Sequence, residues 1–273
     1  MTRKDSAGSR PVALIAFGGN ALAPDGGEGT QDEQQAEARA LAEVLAELER
    51  EYRLLLVHGN GPQVGQVLIQ VEAGRRQVPP WTLDACGAST QGIIGYLLEE
   101  ALRSQANTAG VVARVATLLT MVEVDHEDPA FGKPTKPIGP FYPTFVARDM
   151  MSQRGWTMVD LGKQGWRRVV PSPRPIRIHG VDTIRTLLDQ GYLVIAGGGG
   201  GVPVVAQRGG ALHGVEAVID KDRTAALLAR EVCADLFVVL TNVDRVERDH
   251  GTDRAAPIDR MTPSAARNLL EEG

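Results

Sequence analysis

Three times in this chain a short apolar run stops abruptly on glycines. Val12–Phe17 runs into Gly18-Gly19, "RLLLV" (53–57) runs through His58 into "GNG", and "YLVIA" (192–196) runs into the five glycines 197–201. Short apolar runs bounded in this way read as fully buried strands, the kind found inside parallel sheets. Helical segments lie between them. "TQDEQQAEARALAEVLAELERE" has helical periodicity and opens with Thr30 and Glu33 at capping-box spacing. Pro62 sits where it can open a helix over 62–73, and a long helix falls within 84–104. Further helices are expected at 182–190 and 222–232, and over "TPSAARNLLEE" with Thr262 as its cap. "VVARVATLLTMVEVD" (111–125) is β-rich, and "VPVVAQ" and "LFVVLT" (236–241) read as further strands. Strand, glycine turn and helix in repetition predict an α/β fold, a three-layer αβα sandwich around a mainly parallel central sheet.

One stretch breaks the alternation. From Asp128 to Pro175 the chain is dense in proline, glycine and aromatic residues: "DPAFGKPTKPIGPFYP", "RGWTMV", "GWRRVVPSPRP". That texture predicts a small protruding subdomain, or lid, over about 126–175. The rest, 11–125 and 176–273, is expected to belong to one domain, and 1–10 to be a disordered tail. A chain of 273 residues can bury a real core. Its net charge of −5, with no block of basic residues, argues against a nucleic-acid partner. No apolar run is long enough to span a bilayer. Cys86 and Cys233 lie far apart among small and apolar residues, so two buried free thiols in a reducing compartment, the cytoplasm, are expected.

In open α/β sheets ligands bind at the carboxyl ends of the strands, where the three glycine clusters fall. Glycine lets backbone N–H groups approach an anion, and a following helix adds its dipole. The standard nucleotide motifs do not match. There is no G-x-x-x-x-G-K-[ST], and "GNGPQVG" departs from a dinucleotide fingerprint by one residue in its last spacing. No nucleophile–base set or metal-ligand spacing stands out, although His58 lies at a strand end beside a glycine turn. Lysine occurs at only five positions, 4, 133, 136, 163 and 221, while arginine is used freely. A compact ammonium suits a moving phosphoryl group better than the planar guanidinium fork. Lys221 is flanked by Asp220 and Asp222 at the start of a helix, and Lys136 lies in the lid. Both are candidates for that work.

Eight segments in order resemble the carbamate kinases of the amino-acid kinase superfamily. They are "AFGGNAL" (16–22), "HGNGPQVG" (58–65), "STQGIIGY" (89–96), "DPAFGKPTKPIGPF" (128–141), "GWRRVVPSPRP" (165–175), "GGGGGVPVV" (197–205), "GVEAVIDKD" (214–222) and "LTNVDRV" (240–246). The resemblance implies the amino-acid kinase fold, with an eight-stranded, mainly parallel sheet between helices. It implies reversible phosphoryl transfer between carbamoyl phosphate and ADP, giving ATP and carbamate, with Mg²⁺ held mainly by the nucleotide phosphates. It also implies a homodimer, working in the breakdown of arginine, agmatine or purines.

By the same resemblance Gly18, Gly19 and Asn20 hold the transferred phosphoryl group. Gly59, Asn60 and Gly61 line the carbamate side, and His58, Gly198 and Gly199 are expected among the substrate- and phosphoryl-binding residues. Lys136 and Lys221 neutralise transition-state charge, and Asp222 orients the lysines. Lys221, Thr241 and Asp244 lie near the nucleotide, in a nucleotide-binding part over 214–273. Related kinases carry a lysine just before the first glycine pair; here Ala16-Phe17 stands there, and the lid lysine is expected to compensate. The family's chains also run on into an F-x-x-G-S-M-x-P-K segment, whereas this sequence stops at "NLLEEG" (268–273). That departure leaves two alternatives open: a nucleotide- or phosphate-binding homologue with weak or no turnover, and a kinase acting on another small carboxylate or phosphonate.

Overall fold

A computed structural model of the chain describes residues 10–22, 27–241, 243 and 245–272. The tail expected at 1–10 lies outside them except for Arg10. The chain forms two compact units, Met1–Val239 and Leu240–Gly273. The first opens with strand β1 (Val12–Phe17), helix α1 (Gln31–Leu48), strand β2 (Arg53–His58), and helices α2 (Gly61–Gly74) and α3 (Leu83–Thr108). Strands β3 (Val115–Thr117), β4 (Met121–Val124) and β5 (Lys136–Tyr142) follow, then helix α4 (Thr144–Arg154) and strands β6 (Met158–Asp160), β7 (Trp166–Val170) and β8 (Pro175–Ile178). Helix α5 (Val181–Asp189), strands β9 (Leu193–Ile195), β10 (Val202–Ala206) and β11 (Leu212–Gly214), helix α6 (Lys221–Glu231) and strand β12 (Leu236–Leu240) complete the alternation. In the second unit, β13 (Glu247–Arg248) and β14 (Ala256–Pro257) pair antiparallel, and α7 (Pro263–Glu272) starts from Thr262, whose hydroxyl accepts the Ala265 N–H.

The layers follow from strand periodicity. Successive side chains of a strand point to opposite faces, and all six residues of β1 are buried. Ala13, Ile15 and Phe17 join Leu54, Leu56, Leu193 and Ile195 in packing against Ala38, Ala42 and Leu45 of α1 and Ile94, Leu97 and Leu98 of α3. Val12, Leu14 and Ala16 join Leu55, Val57 and Val194 on the other face, against Ile184 and Leu188 of α5 and Ala225 and Leu228 of α6. Each large side chain buried in this way contributes about 1.5–3 kcal/mol of transfer free energy. The capping box at the start of α1 forms as its spacing predicts: the Glu33 N–H donates to the Thr30 hydroxyl, and the Glu33 carboxylate accepts the Thr30 N–H.

The sheet is divided. A five-stranded sheet runs β12-β1-β2-β9-β3, with β1/β2, β2/β9 and β9/β3 parallel. A four-stranded sheet runs β11-β10-β4-β8, with β10/β4 parallel and both edge pairings antiparallel. The β-rich stretch 111–125 breaks between β3 and β4, where Gln91 grips Thr120 through both main-chain groups: its amide donates to the Thr120 carbonyl, and its carbonyl accepts the Thr120 N–H. The proline-rich segment forms its own antiparallel sheet, β5-β7-β6, carrying α4. Flanking prolines and glycines hide the helical period of α4, which stops at Gly155 in the left-handed conformation. Of the two cysteines expected to be buried, Cys86 is, but Cys233 is exposed. It turns outward at φ 53°, two residues beyond the end of α6. Among the described residues no helix is long and apolar enough to cross a membrane.

The small sheet docks where Ile138 and Val170 meet Val64, Val67 and Leu68 of α2 and Leu83 and Cys86 of α3. At the centre of this contact Gly65 faces Gly139, and a Cβ added to Gly65 would stand 3.2 Å from the Gly139 Cα. Gly92 on α3 has nothing within 4 Å of an added Cβ. The two sites should therefore respond oppositely in urea unfolding. Gly65→Val is expected to destabilise by about 1–3 kcal/mol through overpacking, and Gly92→Ala to stabilise by about 0.4–1 kcal/mol through helix propensity and unfolded-state entropy.

Candidate active site

Strands β1, β2 and β9 are neighbours, and their carboxyl ends are aligned, with Phe17 beside His58 and Leu56 beside Ile195. Three glycine turns therefore meet on one edge of the sheet. The first becomes a 3-10 turn, Gly19–Leu22; the second leads into α2; the third forms a 3-10 turn at Gly198–Gly200. They approach more closely than side chains allow. A Cβ on Gly59 would lie 2.6 Å from the Gly19 nitrogen. One on Gly199, which sits at φ 65°, would lie 2.3 Å from the Asn60 amide nitrogen.

Between these turns is a cavity of about 210 Å³, with Gly19, Asn20, Gly59, Asn60, Gly61 and Gly199 on one side and Lys136, Asp220, Lys221 and Asp222 on the other. Cavities of about 580 and 500 Å³ lie elsewhere in the first unit, lined in one case mainly by glutamine and apolar side chains and in the other by arginines already paired with glutamates. Chemistry, not size, singles out the smaller one. The small sheet supplies Lys136, the first residue of β5, and α6 supplies Lys221, its first residue.

Each lysine has its own carboxylate. Lys221 Nζ donates to Asp222 Oδ1 at 2.8 Å, and Lys136 Nζ donates to Asp220 Oδ2 at 3.3 Å. Asp220 is also the N-cap of α6, accepting the N–H groups of Asp222 at 2.9 Å and Arg223 at 3.4 Å. Partial burial works to raise its pKa, but the Lys136 ammonium and those two N–H groups outweigh it and hold the carboxyl below its ordinary value. The cap uses the positive end of α6. The N-terminus of α2 is left to face the cavity, since Asn60 makes no side-chain cap there and instead donates to the Thr90 hydroxyl at 2.8 Å.

Of the residues singled out in the sequence, Gly19, Asn20, Gly59, Asn60, Gly61, Gly199, Lys136, Lys221 and Asp222 line this one cavity. Gly18, His58 and Gly198 are not on the cavity wall. The Gly18 carbonyl closes the 3-10 turn by accepting the Ala21 N–H. His58 is 1% exposed and packs under the third turn, where a Cβ on Gly198 would lie 2.2 Å from its Nε2. Burial drives its pKa down to about 4, against a smaller opposing effect of the Gly59 carbonyl beside Nδ1, so the ring is neutral. Thr241 is exposed and belongs to the second unit; Asp244 lies outside the described residues.

Several residues that hold the turns carry no motif chemistry of their own. Thr120 Oγ1 accepts the Gly197 N–H at 2.9 Å, and the Thr224 hydroxyl donates to the Gly200 carbonyl at 2.8 Å. Gln63 donates to the Gly19 carbonyl at 3.3 Å. For Gln63 and Thr224 the signal available was a polar residue on the buried side of a helix; Thr120, between two strands, gave none.

The chain matches the Amino acid kinase family over residues 11–273. It is 42% identical over 263 residues to a carbamate kinase of Pyrococcus horikoshii, covering 95% of this chain and 83% of that one. It is 38% identical to a carbamate kinase of Trichomonas vaginalis, with 95% and 84% covered. The structure of a Giardia lamblia carbamate kinase bound to AMP-PNP superposes with a TM-score of 0.89 at 34% identity, over 97% of this chain and 84% of that one.

His58 gives the site an acid limit. Its native pKa of about 4 lies below the unfolded value of 6.5, so the unfolded chain takes up the proton first. The stability contributed by the neutral ring is complete above the unfolded value and is lost as pH falls toward about 4. The total loss is on the order of 3 kcal/mol. His58→Gln is expected to start less stable at neutral pH but to lose less stability across that window, as urea unfolding at several pH values would measure.

Proposed function

The chain belongs to the amino acid kinase family and, within it, to the carbamate kinases; from that premise we propose that this cavity moves a phosphoryl group between carbamoyl phosphate and ADP, giving carbamate and ATP. The observation that carries the reading is the convergence of Lys136 and Lys221 on three glycine turns around one small cavity. At about 210 Å³ it is below the usual range for drug-sized ligands and suits a small phosphorylated carboxylate.

In the direction of ATP synthesis, a β-phosphate oxygen of ADP attacks phosphorus. The bond from phosphorus to the carbamoyl oxygen breaks, and carbamate leaves with the electron pair. Both attacking and departing atoms are anionic oxygens, so no proton need move, and the neutral, buried His58 takes no part. What the reaction needs is alignment and charge stabilisation. The N-terminus of α2 and the 3-10 turn at Gly19 supply backbone donors. Lys136 and Lys221 supply mobile cations held in aim by Asp220 and Asp222, and the small sheet acts as a lid carrying the first of them. Mg²⁺ held by the nucleotide phosphates would offset their charge. The wall fits that arrangement, because its two carboxylates are each engaged by a lysine and form no cage of their own. Cytoplasmic location and a homodimeric assembly complete the proposal.

The test is ATP formation from carbamoyl phosphate and MgADP. The unmodified chain should turn over, and Lys221→Ala and Lys136→Ala should each lower kcat by about 100-fold or more. Both ion pairs are partly exposed, so the same substitutions should change unfolding free energy by less than about 1 kcal/mol. ATP formation by the unmodified chain no greater than by Lys221→Ala would sink the proposal.

A further inference from the structure

Gln63 lies in the first turn of α2 and is 4% exposed. Its amide nitrogen donates to two acceptors, the Gly19 carbonyl at 3.3 Å and Gln34 Oε1 at 3.1 Å. Gln34 commits its own amide nitrogen to the Gly29 carbonyl, which also accepts the Gln66 amide. Both neighbours of the Gln63 amide are thus oxygens, so the NH₂ group must face them. Its Oε1 is left without a partner among the described residues, against the Gly19 Cα, 2.9 Å from where a Cβ would stand. The two donations tie Gln63 to the first glycine turn on one side and to α1 on the other.

The consequence for the site follows from peptide geometry. In a planar trans peptide the carbonyl and the following N–H point opposite ways. Gln63 draws the Gly19 carbonyl into the protein, which sends the Asn20 N–H toward the cavity that Asn20 lines. We propose that Gln63 is a positioning residue: it fixes the Gly19–Asn20 peptide so that the Asn20 N–H is aimed at the transferred phosphoryl group. It touches no reacting atom itself, and the chain Gln63–Gln34–Gly29 secures it from α1. The inference rests on the phosphoryl-transfer reading of the cavity.

The test is Gln63→Met, close in shape but without a donor. Its kcat for ATP formation should fall about 10–100-fold, a lesser effect than removing a donor outright, while KM for MgADP stays within about twofold, the pattern of an interaction made in the transition state alone. In parallel, inorganic phosphate is titrated into the isotope-labelled full chain. The Asn20 amide resonance should shift in the unmodified protein and stay in place in Gln63→Met. A kcat for Gln63→Met within about twofold of the unmodified chain, or an Asn20 amide that ignores phosphate in the unmodified protein, overturns the proposal. If the unmodified chain makes no ATP, the kinase reading fails, and the phosphate titration still decides this one. Should Gln63→Met not fold, Gln63→Glu replaces it. A carboxylate cannot donate to the Gly19 carbonyl and a protonated carboxyl can, so activity relative to the unmodified chain should rise as pH falls. A flat ratio overturns the proposal.

Discussion

A turn built of glycine has no side chains to wedge it in place, so its shape must be imposed by its surroundings. Here that is done by buried polar groups. Gln34, His58, Asn60, Gln63, Thr90, Gln91, Thr120 and Thr224 are all buried. Gln34, His58, Gln63, Thr120 and Thr224 bond to a glycine of the three turns or the loop before α1, Gln91 holds Thr120, and Asn60, itself in the second turn, is tied to Thr90. Burying an unpaired polar group costs several kcal/mol, so such groups persist where their bonds are made. The apolar packing on both faces of the sheet supplies the driving force for the fold, and this polar frame decides where its functional edge points.

The lysines are organised on another principle. Each is fastened by one carboxylate, Lys221 by its neighbour in the chain and Lys136 by a residue 84 positions away. Asp220 caps α6 and binds the lysine of the small sheet, so one side chain ties the start of a helix to the lid. Asp222, two residues on, holds Lys221. Because these pairs are partly exposed, they contribute little to stability. Their effect is geometric: two ammonium groups are aimed at one cavity while retaining donors to offer an anion.

Much of this could be read from residues in order. Buried strands ending on glycine gave the parallel sheet, and Thr30 with Glu33 gave the start of α1. A scarce lysine, Lys221, between Asp220 and Asp222 pointed to the candidate site. Other features resisted. His58 sits beside the second glycine turn in sequence but packs beneath the third, because β2 ends inside the core and its last side chain points under Gly198. Cys233 has apolar neighbours yet is exposed, because the turn after α6 adopts a positive φ. Helix α4 was hidden among prolines, and the sheet divides at residues 118–120, where Gln91 holds Thr120.

The sequence by itself determined the alternation of strand and helix, the placing of glycines at strand ends, and the scarcity of lysine beside freely used arginine. These are local matters, set by periodicity, side-chain volume and backbone freedom, and each is written within a few neighbouring residues. The tertiary structure decided which aspartate serves which lysine. Sequence adjacency put Asp220 and Asp222 both beside Lys221, but Asp220 turns to Lys136, which is 84 positions away in the chain. It likewise decided that Gln63 would reach Gly19 across 44 positions. Such bonds depend on how β1, β2 and the small sheet are brought together, and that is settled by the packing of whole elements.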